Sequence, residues 1–333
     1  MATVPTTLSR AVSWHRPLMV FAGLMVVSTV VSLAGLLVDD RVLVGAPIWL
    51  KPFKFSISLM VYAVTWAWML SLQRKVRPWV WWTSTVIAVL AGVEMVVIIG
   101  QVVRGEMSHF NVSTSLNAVL FSIMGFSIVL LWALTLVQGV VLLRDRIADR
   151  PIALAIRAGV LIALIGMALA ALMTGPTPEQ LDALRAGEDV TVIGAHSVGV
   201  ADGGQGLPVT GWSTTGGDLR IPHFVGIHAM QALPLFALGL TAFARRFRPS
   251  RVRHEGVRLR LVWVAVGVYA GLLALVTWQA LRGQPLLAPD FWTLLAVAAL
   301  VTATAVGAGT ALRAQYVDLP DGVSHRHDVE VVR

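Results

Sequence analysis

Two ionisable residues lie deep inside long apolar stretches of this sequence, and both are types that do chemistry. Glu94 stands six residues before Gly100, where the third stretch ends, or about 9 Å at the rise of a helix. A carboxylate at that depth is costly unless protonated, paired or hydrated, so it suits proton transfer. Gln101 follows seven residues on, nearly on the same helical face, and extends a polar track toward Arg104. Glu94 and Gln101 are therefore the candidate catalytic pair. His228 sits six residues inside the sixth stretch, at matching depth, with Gln231 on the same face three residues deeper.

An imidazole so placed is the candidate metal or haem ligand. His223 lies five residues earlier, about 140° around a regular helix, so the two histidines do not clasp one small ion. It is either a second cofactor ligand or an anchor at the headgroups. His109, in Arg104-Gly-Glu-Met-Ser-His109-Phe-Asn111, is the other second-ligand candidate. Asn111-Val112-Ser113 also matches a glycosylation sequon, a short pattern of low specificity.

Lys51, Lys54, Ser58, Tyr62 and Thr65 recur at three-four spacing and place a polar stripe on one face of the second stretch. Two lysines in the first turn oppose the helix dipole, so an anion nearby is expected. Asp39, Asp40, a lipid phosphate or the carboxylates of a bound ligand would serve, and Arg220 would join the lysines in holding it. Lysines snorkelling to a headgroup layer are the bland alternative.

The elements that must position these residues are membrane helices. The chain is 56% hydrophobic and only 13% charged, with a mean hydropathy of +0.76, whereas soluble domains carry about 25% charged residues. Eight stretches of about 20 apolar residues open at Pro17, Phe55, Val80, Leu116, Ile152, Pro222, Leu261 and Phe291. Lipid offers no partner to a free backbone group, and these runs are too long for barrel strands, so they are helices. The expectation is an all-α integral membrane protein with eight transmembrane helices.

The net charge of +8 does not point to nucleic acid, because the basic residues follow the connections. Arg74, Lys75 and Arg77 follow the second stretch, Arg144, Arg146 and Arg150 the fourth, and seven arginines from Arg245 to Arg260 the sixth. The positive-inside rule then puts both termini in the cytoplasm and the site residues on the outer side. Arg10 and Arg16 precede a first run too long for a signal peptide, which is read as an uncleaved span. The expected location is a cell membrane of the bacterial inner-membrane type. The absence of cysteine excludes disulfides, thiolate catalysis, iron–sulfur clusters and c-type haem. Tryptophans at span ends (Trp49, Trp79, Trp278, Trp292) read as interfacial belts.

Shared phrases suggest a tandem repeat. Arg16-Pro17 and Arg150-Pro151 open the first and fifth spans, and Gln101-Val-Val-Arg104-Gly105 and Gln279-Ala-Leu-Arg282-Gly283 leave the third and seventh. The expected organisation is a four-helix half over 1–143, a second over 144–313 and a cytoplasmic tail over 314–333, the halves parallel about an axis along the membrane normal. In this register Glu94 corresponds to Leu272 and His228 to Leu59. This plan, with histidines toward the outer face, is similar to that of haem A synthases. The similarity is architectural: that family's glutamate- and histidine-bearing helix motifs and its outer cysteine pair are absent here, and the fourth and eighth spans hold no histidine.

The outer connection from 175 to 221 is too long for a turn. Thr177-Pro178-Glu179-Gln180 has the form of a capping box and predicts a short helix to about Ala186. The glycine-rich remainder, with His196, Asp202, Trp212 and Asp218, suits a lid over an outward pocket. The leading expectation is a protein that holds a metal or b-type haem in the outer leaflet for electron transfer or oxidation of a lipid-soluble substrate. The rival is a transporter or sensor for a small anionic ligand, with Glu94 coupling a proton. A structural subunit of a larger membrane complex is the third. No nucleotide loop, Ser-His-Asp order or zinc-protease motif is present.

Overall fold

A computed structural model describes residues 14–73, 76–145, 147, 149–247 and 251–313. Arg10, Arg74, Lys75, Arg146 and Arg248, which entered the orientation argument, and the tail 314–333 lie outside them. The chain is mostly helical, and among the described residues the strands are two-residue pairs, Val42–Leu43 with Ala46–Pro47 and Ser197–Val198 with Gly217–Asp218. The long helices are α1 (Arg16–Val38), α2 (Leu50–Ser71), α3 (Pro78–Arg104), α4 (Ser115–Arg144) and α5 (Arg150–Leu169). After the short α6 (Pro178–Arg185) come α7 (Arg220–Ile227), α8 (Ala229–Arg246), α9 (Glu255–Leu281) and α10 (Phe291–Arg313). Seven helices are long and apolar enough to span a membrane, and α7 with α8 make an eighth if that pair is one span. Apolar side chains such as Leu37, Val96 and Phe126 cover the outside, as in a protein immersed in lipid. The chain is a multi-pass membrane protein.

Helix ends follow local chemistry. Thr114 caps α4 and Asp149 caps α5, each accepting a backbone N–H three residues on, and prolines stand in the first turns of α1, α3 and α5, where no intrahelical donor is lost. His15 caps α1: its Nδ1 accepts from Leu18 N while Nε2 donates to the Trp81 carbonyl at 2.9 Å. Both ring nitrogens of this buried histidine are thus used. The Thr177 capping box forms with Gln180 as its reciprocal partner.

The α7–α8 pair, expected as the sixth span, is not one regular helix. It bends by 42° between α7 and α8, with His228 at the break. Pro234 lies inside α8 and leaves the Met230 carbonyl without its helical donor, which favours a break in the turn before it.

One apolar core runs between the helices, centred on residues such as Leu18, Trp66, Ile87, Met95, Ile156 and Met230. Two backbones approach closely at Gly166 of α5 and Gly226 of α7, where an added Cβ on Gly166 would lie 2.5 Å from the Gly226 Cα. A cluster of polar groups in the core is paired. Trp66 Nε1 and Ser84 Oγ both donate to Gln138 Oε1 at 2.9 Å, and Gln138 Nε2 donates to Thr83 Oγ1.

Candidate functional site

The glycine-rich segment after α6 folds across one end of the bundle and meets every other connection there. Gly203 packs on Gly45 of the first connection, Val192 bridges to Asn111 of the α3–α4 connection, and Gly217 packs on Ala280 at the end of α9. Side chains fasten it. Lys54 Nζ donates to the Thr210 carbonyl at 2.7 Å, and Arg220 pairs with the fully buried Asp218 while its Nη2 donates to the Gly211 carbonyl. Asp218 also accepts from Ser213 N, which ties the lid to the start of α7.

His196, a lid residue outside the candidate site set, is locked by Asp202. Its Nδ1 lies 2.8 Å from Asp202 Oδ2, and the backbone N–H groups of His196 and Ser197 donate to the same carboxylate. Burial would raise the Asp202 pKa, but these hydrogen bonds outweigh it and hold the carboxyl well below its ordinary value. For His196 burial wins over the raising effect of Asp202, and its pKa is lowered. The ring is therefore neutral near pH 7, with its proton on Nδ1 and a bare lone pair on Nε2.

The same accounting fixes two more imidazoles. His223 Nδ1 faces the Gly166 carbonyl at 2.8 Å. A carbonyl only accepts, so the proton is on Nδ1 and Nε2 is bare. This bond ties His223 to α5. At His228 the logic runs through three residues. Thr65 Oγ1 donates to the Val61 carbonyl and so must accept from Gln231 Nε2. That turns Gln231 Oε1 toward His228 Nδ1 at 3.3 Å. His228 Nδ1 donates, and its Nε2 is a buried lone pair with no hydrogen-bond partner.

Lys51 and Glu94 form the other half of the site. Lys51 makes no hydrogen bond or ion pair among the described residues; its ammonium lies 5.9 Å from the Phe55 ring centroid and interacts with the Glu94 charge. Glu94 is 1% exposed, with both carboxylate oxygens buried and unpartnered. Leaving such groups unsatisfied costs about 1–3 kcal/mol each. Lys51, His109, His196 and His223 are each half-buried. His109, with Nδ1 at 3.1 Å from Ser108 Oγ, is held well below the ordinary histidine range by burial first and then by the charges of Lys51, His196 and His223.

Other expectations fare differently. Gln101 does not continue a track from Glu94: its Nε2 donates to the Met107 carbonyl and Asn117 Oδ1, and its Oε1 accepts from Arg104. Asp39 does not meet the lysines, being taken by Arg41 and Trp49. Asn111 is 2% exposed and bonded to Glu106, Met107 and Ser113, which closes the sequon. Glu94 and His228 make no hydrogen bond to each other; both reach α2, Glu94 through the Lys51 charge and His228 through Gln231 and Thr65. Among the described residues no three histidine or acidic side chains come together in a way that would hold a metal ion.

His15, His196, Asp202 and the phenylalanines Phe55, Phe110 and Phe121, which surround His109, were not singled out as site residues from the sequence. The short spacing of His196 and Asp202 in a glycine-rich loop was the only local signal. Compared with known families, curated proteins and solved structures, the chain matches no family model, no curated protein and no solved structure.

Proposed function

We propose that this protein takes up or senses a small organic or inorganic acid, binding the anion at Lys51 and the proton at Glu94 or a bare imidazole nitrogen. The observation that carries the reading is Lys51, an enclosed ammonium with no hydrogen-bonded or ionic partner among the described residues. It stands in one polar region with unpartnered proton acceptors. An anion and a proton together complete both, and that combination adds no net charge to a low-dielectric site. The lid excludes bulk water from it. The orientation that belongs with this reading has the lid outside and the arginine-rich segments in the cytoplasm.

The halves are proposed to be repeats. Supporting this, α1–α2, α3–α4, α1–α3 and α2–α3 pack together in one half, and α5–α8, α9–α10, α5–α9 and α8–α9 in the other. In this scheme Lys51, Glu94 and His109 come from the first half, His223 and His228 from the second, and the lid closes between them.

The test uses purified protein in nanodiscs, titrated with acetate, phosphate, sulfate and nitrate. Lys51-dependent binding of at least one anion is expected, abolished in Lys51→Met. In Glu94→Gln the anion should still bind while the proton uptake that accompanies it shrinks, read from the dependence of binding heat on buffer ionisation. Failure of all four anions to bind, or unchanged binding in Lys51→Met, overturns the reading.

A second reading, a b-type haem or metal held for redox chemistry, is favoured by one observation, the buried lone pair of His228 Nε2. It predicts a Soret band or bound metal in protein isolated from cells, lost in His228→Ala.

A further inference from the structure

Resting on the acid-binding reading, we infer that the ligand is an aromatic carboxylic acid, its carboxylate on Lys51 and its ring in a pocket of phenylalanines around His109. The His109 ring has Phe55 at 5.9 Å between centroids, Phe110 at 6.2 Å and Phe121 at 6.3 Å. Phe110 stands edge-on to Phe121 at 5.8 Å and to His196 at 4.9 Å, so the wall is continuous. The three phenylalanines come from α2, the α3–α4 connection and α4, which only the folded bundle brings together.

Phe110 shows the cost of building this wall. Its φ is +64°. That is the left-handed region, which bulky side chains avoid. Gly194 of the lid is itself left-handed and lies so close that an added Cβ would meet the Phe110 ring at 2.7 Å. A conformation of this kind persists only where the surroundings impose it. Here they direct an aromatic ring between two imidazoles.

The cation is continuous with the aromatic wall, because Phe55 is both the ring under Lys51 and the edge-on neighbour of His109. His109 is half-buried although three rings surround it, so a ligand ring seated against it would meet aromatic edges and faces. A small inorganic anion would satisfy Lys51 and leave that apolar lining unfilled. A planar ring fills it with edge-to-face contacts, and its carboxylate reaches the ammonium at the pocket's rim.

The experiment compares acetate, cyclohexanecarboxylate and benzoate by calorimetry on the full chain in nanodiscs. Benzoate is expected to bind roughly ten-fold or more tighter than acetate from burial of its ring, and tighter than cyclohexanecarboxylate, which matches it in bulk without a π face. Phe121→Leu and Phe121→Met should each remove most of the benzoate advantage while leaving acetate affinity within about two-fold. Two variants are used so that one that misfolds, judged by its unliganded melting curve, does not decide the outcome. Benzoate equal to or weaker than acetate, with both dependent on Lys51, overturns the aromatic inference and leaves the anion site standing. Cyclohexanecarboxylate equal to benzoate overturns the planar requirement and hence the inference. Failure of every acid to bind overturns this inference and the acid-binding reading together.

Discussion

Gln101 and Gln279 end α3 and α9 with the same bond: each side-chain amide donates to the carbonyl six residues on, Met107 at 3.0 Å and Pro285 at 2.8 Å. Each helix then leaves through a left-handed glycine, Gly105 or Gly283. Arg104 and Arg282 reach from those ends to the third residue after the next cap, Asn117 after Thr114 and Thr293 after Asp290. If the halves are repeats, Gln101→Leu and Gln279→Leu should cost alike, about 1–2 kcal/mol each for a turn carbonyl left unsatisfied. Denaturant unfolding in mixed micelles measures it. A loss at one position with none at the other would remove this support.

The contact of Gly166 with Gly226 also carries the Gly166 carbonyl that holds His223. Gly166→Leu should push α5 from α7, cost about 1–3 kcal/mol by overpacking, and weaken anion binding through displacement of His223. Gly92→Leu, at a glycine with open space around it, is the control and should be near neutral.

Acidification should destabilise the lid region. Burial first, and the neighbouring charges after it, lower the His109 pKa below its ordinary 6.5, and burial lowers that of His196 as well. Below that value the unfolded chain binds protons that the folded chain refuses, so stability is full above it and falls as the pH drops. Melting temperature should decline from about pH 7 to about pH 5, and His109→Gln should flatten the decline. An identical slope in the variant would exclude His109 as a cause.

Charge coupling should be stronger between Lys51 and Glu94 than between Glu94 and His228. A double-mutant cycle of Lys51→Met with Glu94→Gln is expected to show an interaction of about 0.5–3 kcal/mol. If the cycle with His228→Ala is as strongly coupled, the two residues share one ligand more directly than their separate links to α2 imply.

Orientation can be read without background, because the chain has no cysteine. Thr215→Cys on the lid should react with an impermeant maleimide in intact cells, and Glu255→Cys at the start of α9 only after permeabilisation. The reverse pattern would invert the topology.

That the chain holds seven or eight long apolar helices was legible in the sequence, with their approximate limits, because a bilayer imposes a length and an apolarity that a helix either meets or fails. The short helix α6 was legible too, since a capping box is a local bond between residues three apart. Which residues meet was not. The tie of His196 to Asp202, the bond of His223 to Gly166 across helices, and the gathering of Phe55, Phe110 and Phe121 around His109 depend on how spans pack and where the lid lies. The break at His228 also escaped the sequence pattern, because Pro234 permits a kink without fixing its position, and neighbouring helices decide which carbonyls go without donors. Local bonds and solvent matching are written in short windows of sequence, whereas the protonation state and partners of a buried imidazole are set by atoms that only the packed bundle brings to it.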